Sequence, residues 1–150
     1  ALRNEAELRF GYCQVQLKEY ADAIKTLTPL VEKESRLADQ VLFWLAKAQA
    51  GMAPDAAVNP QGHQQAITTA IGTLRAAAER AQKLGDQDPE AKTRRAEIQL
   101  ELADQMQRIW QNKEAAAVYA QLLNDKAISE RDEEIMQRWT SALHLAGAYD

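Results

Sequence analysis

A chain of 150 residues is long enough for one domain with a core of its own. Its 18 basic and 22 acidic residues leave a net charge of −4, which argues against a nucleic-acid surface, because displacing counterions needs a basic excess. No apolar run approaches the roughly 18–20 residues that span a bilayer, so no membrane insertion is expected of this segment.

Twenty-eight alanines against five valines favour helix over strand. Apolar residues recur at helical spacing and nothing alternates with period two, so the fold class is all-α. The first helix is expected over 3–17. The chain reads as helical already from Ala1 to Phe10 and no signal peptide opens it, so it is expected to be a segment of a longer protein. A second helix is expected over 20–34, with Pro29 inside it, where the missing N–H should kink or end the helix early. A third follows over 36–51. The stretch "GMAPDAAVNPQG" at 51–62 is longer than the usual connection and is expected to be an exposed surface excursion.

Asn59-Pro60 then supplies an N-cap and a first-turn proline for a helix over 61–85, striped by Ile67, Ala70, Ile71, Leu74, Ala77, Ala81 and Leu84. Asp88-Pro89 repeats that signal before a helix over 89–110, striped by Ile98, Leu102, Met106 and Ile109. A sixth helix is expected over 112–125. Ser129 to Asp132 reads as a capping-box-like start for a seventh over 130–147, where Glu130, Asp132, Glu133 and Glu134 suit the positive end of the helix dipole. Most of the other linkers are two to four residues long, which makes successive helices antiparallel.

Gly11 interrupts this pattern, since a helix-interior glycine costs about 1 kcal/mol relative to alanine. Small residues beside bulky ones recur along the chain: Phe10-Gly11, Leu45-Ala46, Leu102-Ala103 and Trp139-Thr140. A second set precedes a bulky residue by four positions: Ala23 and Leu27, Ala70 and Leu74, Ala115 and Tyr119. Gly11 to Ala23 and Ala103 to Ala115 share one spacing, and Ala46 to Ala70 exceeds it by the length of the 51–62 loop. "LKEYADAI" and "LAGAYD" add a turn tyrosine.

The pattern resembles the tetratricopeptide repeat, a helix–turn–helix unit of about 34 residues. The resemblance implies an α-solenoid of antiparallel helix pairs, about seven helices over 1–150. The pairs are expected at 3–34, at 36–85 around the long loop, and at 89–125, with 130–147 as the first helix of a fourth. Gly11 would then be a packing residue, facing Ala23 at closest approach with Phe10 and Leu27 around it; Ala46 would face Ala70, and Ala103 would face Ala115. The match is degenerate, since the family's first-helix tryptophan falls at Glu7, Leu42, Gln99 and Met136, and its terminal proline is absent. The other architecture left open is a seven-helix array without regular superhelical twist.

The resemblance also implies a function. Repeat solenoids present a concave face to a peptide or protein. The first helix of each pair would line that face with Leu8, Tyr12, Phe43, Lys47, Leu100, Asp104, Gln137 and Ser141. The mode that holds acidic chaperone tails is set aside, because its clamp positions here hold Leu8, Tyr12, Trp44, Glu97 and Glu101. The expectation is a protein-interaction scaffold. The alternative is a structural spacer or self-assembly module of a larger multi-repeat protein, and self-association through helix 130–147 is expected because Ile135, Trp139, Leu143 and Leu145 cannot all be buried against the preceding pair.

No catalytic chemistry is indicated. Cys13 cannot form an internal disulfide and reads as a buried, inert thiol. His63 and His144 have no cysteine or carboxylate at metal-ligand spacing. No phosphate-binding, nucleophile-elbow or zinc-helix motif occurs. Neither a cofactor nor a metal is expected. Glu97, Glu101 and Asp104 share a helix flank and read as a solvated face, with Asp104–Arg108 and Glu90–Arg94 as exposed pairs.

Overall fold

The computed structural model describes residues 2–149. Seven α-helices account for most of them, and no strand occurs among the described residues. They are α1 (Leu2–Gln16), α2 (Tyr20–Leu27), α3 (Ala38–Gly51), α4 (Pro60–Leu84), α5 (Ala91–Arg108), α6 (Asn112–Asp125) and α7 (Asp132–Tyr149). Each packs against its neighbours in sequence, and α3 also touches both α1 and α5.

The differences from the expected boundaries have local causes. α2 stops at Leu27, and Thr28–Leu30 tightens into a 3-10 turn with Pro29 near its start, because Pro29 has no N–H to continue the helical ladder. α5 begins at Ala91 rather than 89. There the Asp88 carboxylate accepts the Glu90 N–H at 3.0 Å, in a turn that precedes the helix. Ser129 makes no capping box: Ser129–Arg131 forms a 3-10 turn and α7 starts at Asp132. Asn59 does cap α4, its side chain accepting the Gly62 N–H at 2.9 Å, and the Pro54 carbonyl is held by the His63 ring at 2.9 Å.

One turn is built twice. After α1, Lys18 sits in the left-handed region at φ 62; after α5, Trp110 does so at φ 65. In each case the left-handed residue's N–H bonds three residues back and the next N–H bonds five back. These bonds run Lys18 to Val15 and Glu19 to Gln14, then Trp110 to Gln107 and Gln111 to Met106. That is the Schellman arrangement, which satisfies carbonyls that a helix end would otherwise orphan. The caps that follow match as well, Glu19 at φ −87, ψ 61 and Gln111 at φ −83, ψ 58. The offset that carries Lys18 onto Trp110 also carries Gly11 onto Ala103, Ala23 onto Ala115 and Leu27 onto Tyr119.

All of those small residues are buried, as are Ala46 and Ala70. A methyl group on Gly11 would come within 2.4 Å of Leu27 Cδ2 and 2.6 Å of its Cγ. Gly11 is therefore a packing residue, and the group that fills its notch is the Leu27 side chain. Phe10 takes no part in this, being 59% exposed. Gly51 plays the same role unannounced, with the Tyr20 ring 2.5 Å from where its Cβ would stand. Cys13 is exposed rather than buried. The 51–62 loop is largely exposed as expected, apart from partly buried Ala53, Pro54 and Gly62.

Candidate functional site

On α3, Gln40, Phe43, Trp44 and Lys47 follow i, i+3, i+4, i+7 spacing and so share one stripe. On α5, Arg94, Glu97, Ile98 and Glu101 do the same. Val41, Leu42, Leu45 and Ala46 turn the other way, into the core. Three adjoining hollows lie along these stripes. One of about 430 Å³ lies between α1 and α3, with Leu8, Tyr12 and Trp44 in its wall. A second of about 210 Å³ lies between α3 and α5, walled by Asp39, Phe43, Trp44, Arg94, Glu97 and Ile98. The third, about 480 Å³, adds Lys47, Leu100, Glu101 and Asp104, with Arg131 from the turn before α7 and Arg138 from α7 itself. Trp44 belongs to all three.

Trp44 is held by two edge-to-face contacts, with Tyr12 at 4.5 Å and 83° and with Phe43 at 5.0 Å and 81°. Such pairs contribute about 0.5–1.5 kcal/mol beyond area burial. The Lys47 ammonium stands 5.8 Å from the Phe43 ring centre and 3.6 Å from Glu101.

Two polar networks frame the hollows. Arg94 donates to fully buried Asp39 and to half-buried Asp88, each at 2.7 Å. This ties α3 to the start of α5, replacing the Glu90–Arg94 pair expected from spacing. Burial works against the Arg94 charge, but hydrogen bonds and attraction from the two carboxylates raise its pKa. The Arg94 hydrogen bond, with help from the Glu90 N–H, lowers that of Asp88. In the second network the Tyr119 hydroxyl donates to Asp104 at 2.6 Å, and Arg138 on α7 donates to the same carboxylate at 2.7 Å. Asp104 is thus engaged across helices, not with Arg108. Burial raises the Asp104 pKa against the pull of Tyr119 and Arg138, and burial together with the Asp104 carboxylate holds the Tyr119 phenol neutral.

The structure gathers six of the eight anticipated residues along the hollows. Leu8 and Leu100 are only 7% and 2% exposed, so they are floor rather than contact surface. Tyr12, Phe43, Lys47 and Asp104 are open to solvent in part. Gln137 and Ser141 are exposed on α7 outside the three hollows, Gln137 beside Glu133, Met136 and Thr140. Sequence reading missed Trp44, Arg94 and Glu97 as site residues, although helical spacing reaches Trp44 three residues before Lys47, and Glu97 and Arg94 four and seven residues before Glu101.

No protein-family model, no curated protein and no solved structure matches this chain.

Aromatic edges and faces offer apolar contact, and flanking carboxylates and cations, most of them already paired, set orientation. That combination suits recognition of an extended segment with mixed apolar and charged side chains.

Proposed function

We propose that this chain is a protein-interaction scaffold that seats a peptide or protein segment along α1, α3 and α5. The observation that carries this reading is the continuity of the three hollows through one partly exposed aromatic cluster, Tyr12, Phe43 and Trp44. Aromatic residues in such settings are the usual anchors of protein interfaces. The twice-built turn and the buried small residues support a degenerate, tetratricopeptide-like solenoid of helix pairs as the frame. Selection of peptides from a displayed library tests the reading. Peptides should be captured by the protein and lost from a Tyr12→Ala, Phe43→Ala variant that keeps its helical circular dichroism. Equal capture by both proteins would count against it.

A second reading, a self-assembly module, is favoured by α7, where Met136 is 51% and Leu143 49% exposed. In that reading a second copy covers this stripe.

A further inference from the structure

The smallest of the three hollows, between α3 and α5, has one more carboxylate than cation in its wall. Asp39 is fully buried in its wall; its Oδ2 takes the Arg94 guanidinium at 2.7 Å, and its Oδ1 has no hydrogen-bond partner. A buried carboxylate oxygen is rarely left in that state, because its desolvation is uncompensated. Glu97 stands exposed at the junction of this hollow and the larger one beside it. In the wall itself two carboxylates, Asp39 and Glu97, meet one guanidinium, that of Arg94, which Asp88 also engages from outside the hollow. The cations of the adjoining hollow, Lys47, Arg131 and Arg138, are engaged by Glu101, Glu134 and Asp104. Phe43 and Trp44 supply aromatic surface beside this charge. The volume, about 210 Å³, falls below the roughly 300–1,000 Å³ of small-molecule sites and suits a single side chain.

We propose that this hollow receives an arginine side chain of a protein partner, with its guanidinium against Trp44 and Phe43 and its N–H groups donating to Glu97 and Asp39 Oδ1. A planar guanidinium can stack on an aromatic ring while serving two acceptors, which a compact ammonium cannot do as well. The inference rests on the scaffold reading above and names a side chain the partner must carry.

The test is a titration of the ¹⁵N-labelled protein, followed by NMR, with N-acetyl-arginine methylamide and with its neutral isostere N-acetyl-citrulline methylamide. The arginine compound should give saturable shifts at the Trp44 indole N–H and the Ile98 amide, and the citrulline compound should bind at least about tenfold more weakly. Glu97→Gln changes an exposed residue and should weaken arginine binding by a similar factor, whereas Glu79→Gln on α4 should leave it unchanged. Equal binding of citrulline, shifts centred elsewhere, no saturable shift, or indifference to Glu97→Gln would each overturn the proposal. The displayed library separates the two readings. Peptides captured through Tyr12 and Phe43 without arginine enrichment would retain the scaffold and remove the arginine site; no capture and no arginine shift would remove both.

Discussion

Lys18 and Trp110 occupy equivalent positions in two copies of one turn, each the single left-handed residue between a helix pair. A side chain in that region costs roughly 1–2 kcal/mol, a penalty glycine escapes. Lys18→Gly should therefore stabilise the protein by about 0.5–1 kcal/mol in chemical denaturation, the remainder being lost to the freer unfolded chain. A drop in stability would mean that the Lys18 side chain contributes something its exposed position does not suggest.

Glycine substitutions should divide by position. Gly11→Ala places a methyl into buried Leu27 and should cost about 1–2 kcal/mol by overpacking, despite the gain in helix propensity. Gly72→Ala, on an exposed face of α4 with nothing within 4 Å, should stabilise by up to about 1 kcal/mol. Thermal melts of the two variants should move in opposite directions, and parallel shifts would refute the packing role of Gly11.

Arg94→Ala would strand the Asp39 carboxylate in the core. Breaking a buried pair on one side typically costs about 3–5 kcal/mol, so this variant should be among the least stable single substitutions outside the apolar core. Urea denaturation at neutral pH measures it, and a loss below about 1 kcal/mol would show that water reaches Asp39.

Tyr119 sets an alkaline limit. Its pKa is raised in the folded protein, so above about pH 10 the unfolded chain releases a proton that the folded one keeps. The unfolded state then binds fewer protons, and stability falls as pH rises. Tyr119→Phe should cost about 1–3 kcal/mol at neutral pH, by removing a donor from half-buried Asp104, while flattening the decline above pH 10. An unchanged alkaline slope would assign that decline to another group.

Self-association through α7 should make the apparent mass rise with concentration in light scattering. Met136→Glu together with Leu143→Glu should return the protein to a monomer without loss of helix, since both side chains are about half exposed. A strict monomer at high concentration would remove the self-assembly reading.

Much of the fold was legible because local signals and burial agree. Asn59-Pro60 marked the start of α4 to within one residue, and the buried alanines coincide with the small positions of the repeated pattern. What stayed hidden depended on contacts distant in sequence. Gly51 looked like a loop glycine until the Tyr20 ring from α2 was seen to rest on it. Asp104 and Arg94 each had a plausible partner four residues away, yet both are taken by residues on other segments, which offer more burial and better geometry. The site residues divided in the same way. Phe43 and Tyr12 follow from the concave-face positions that the repeat resemblance implies, whereas the burial of Leu8 and Leu100 depends on how closely neighbouring helices approach.

The connection between α3 and α4 has a practical consequence. Asp55 to Val58 are exposed, while the two helices they join share the most extensive helix–helix contact in the protein. A protease should therefore nick the chain there first, and the fragments on either side should stay bound after the cut. The same position offers a place to divide the gene, so that two separately expressed pieces restore the fold only when they meet.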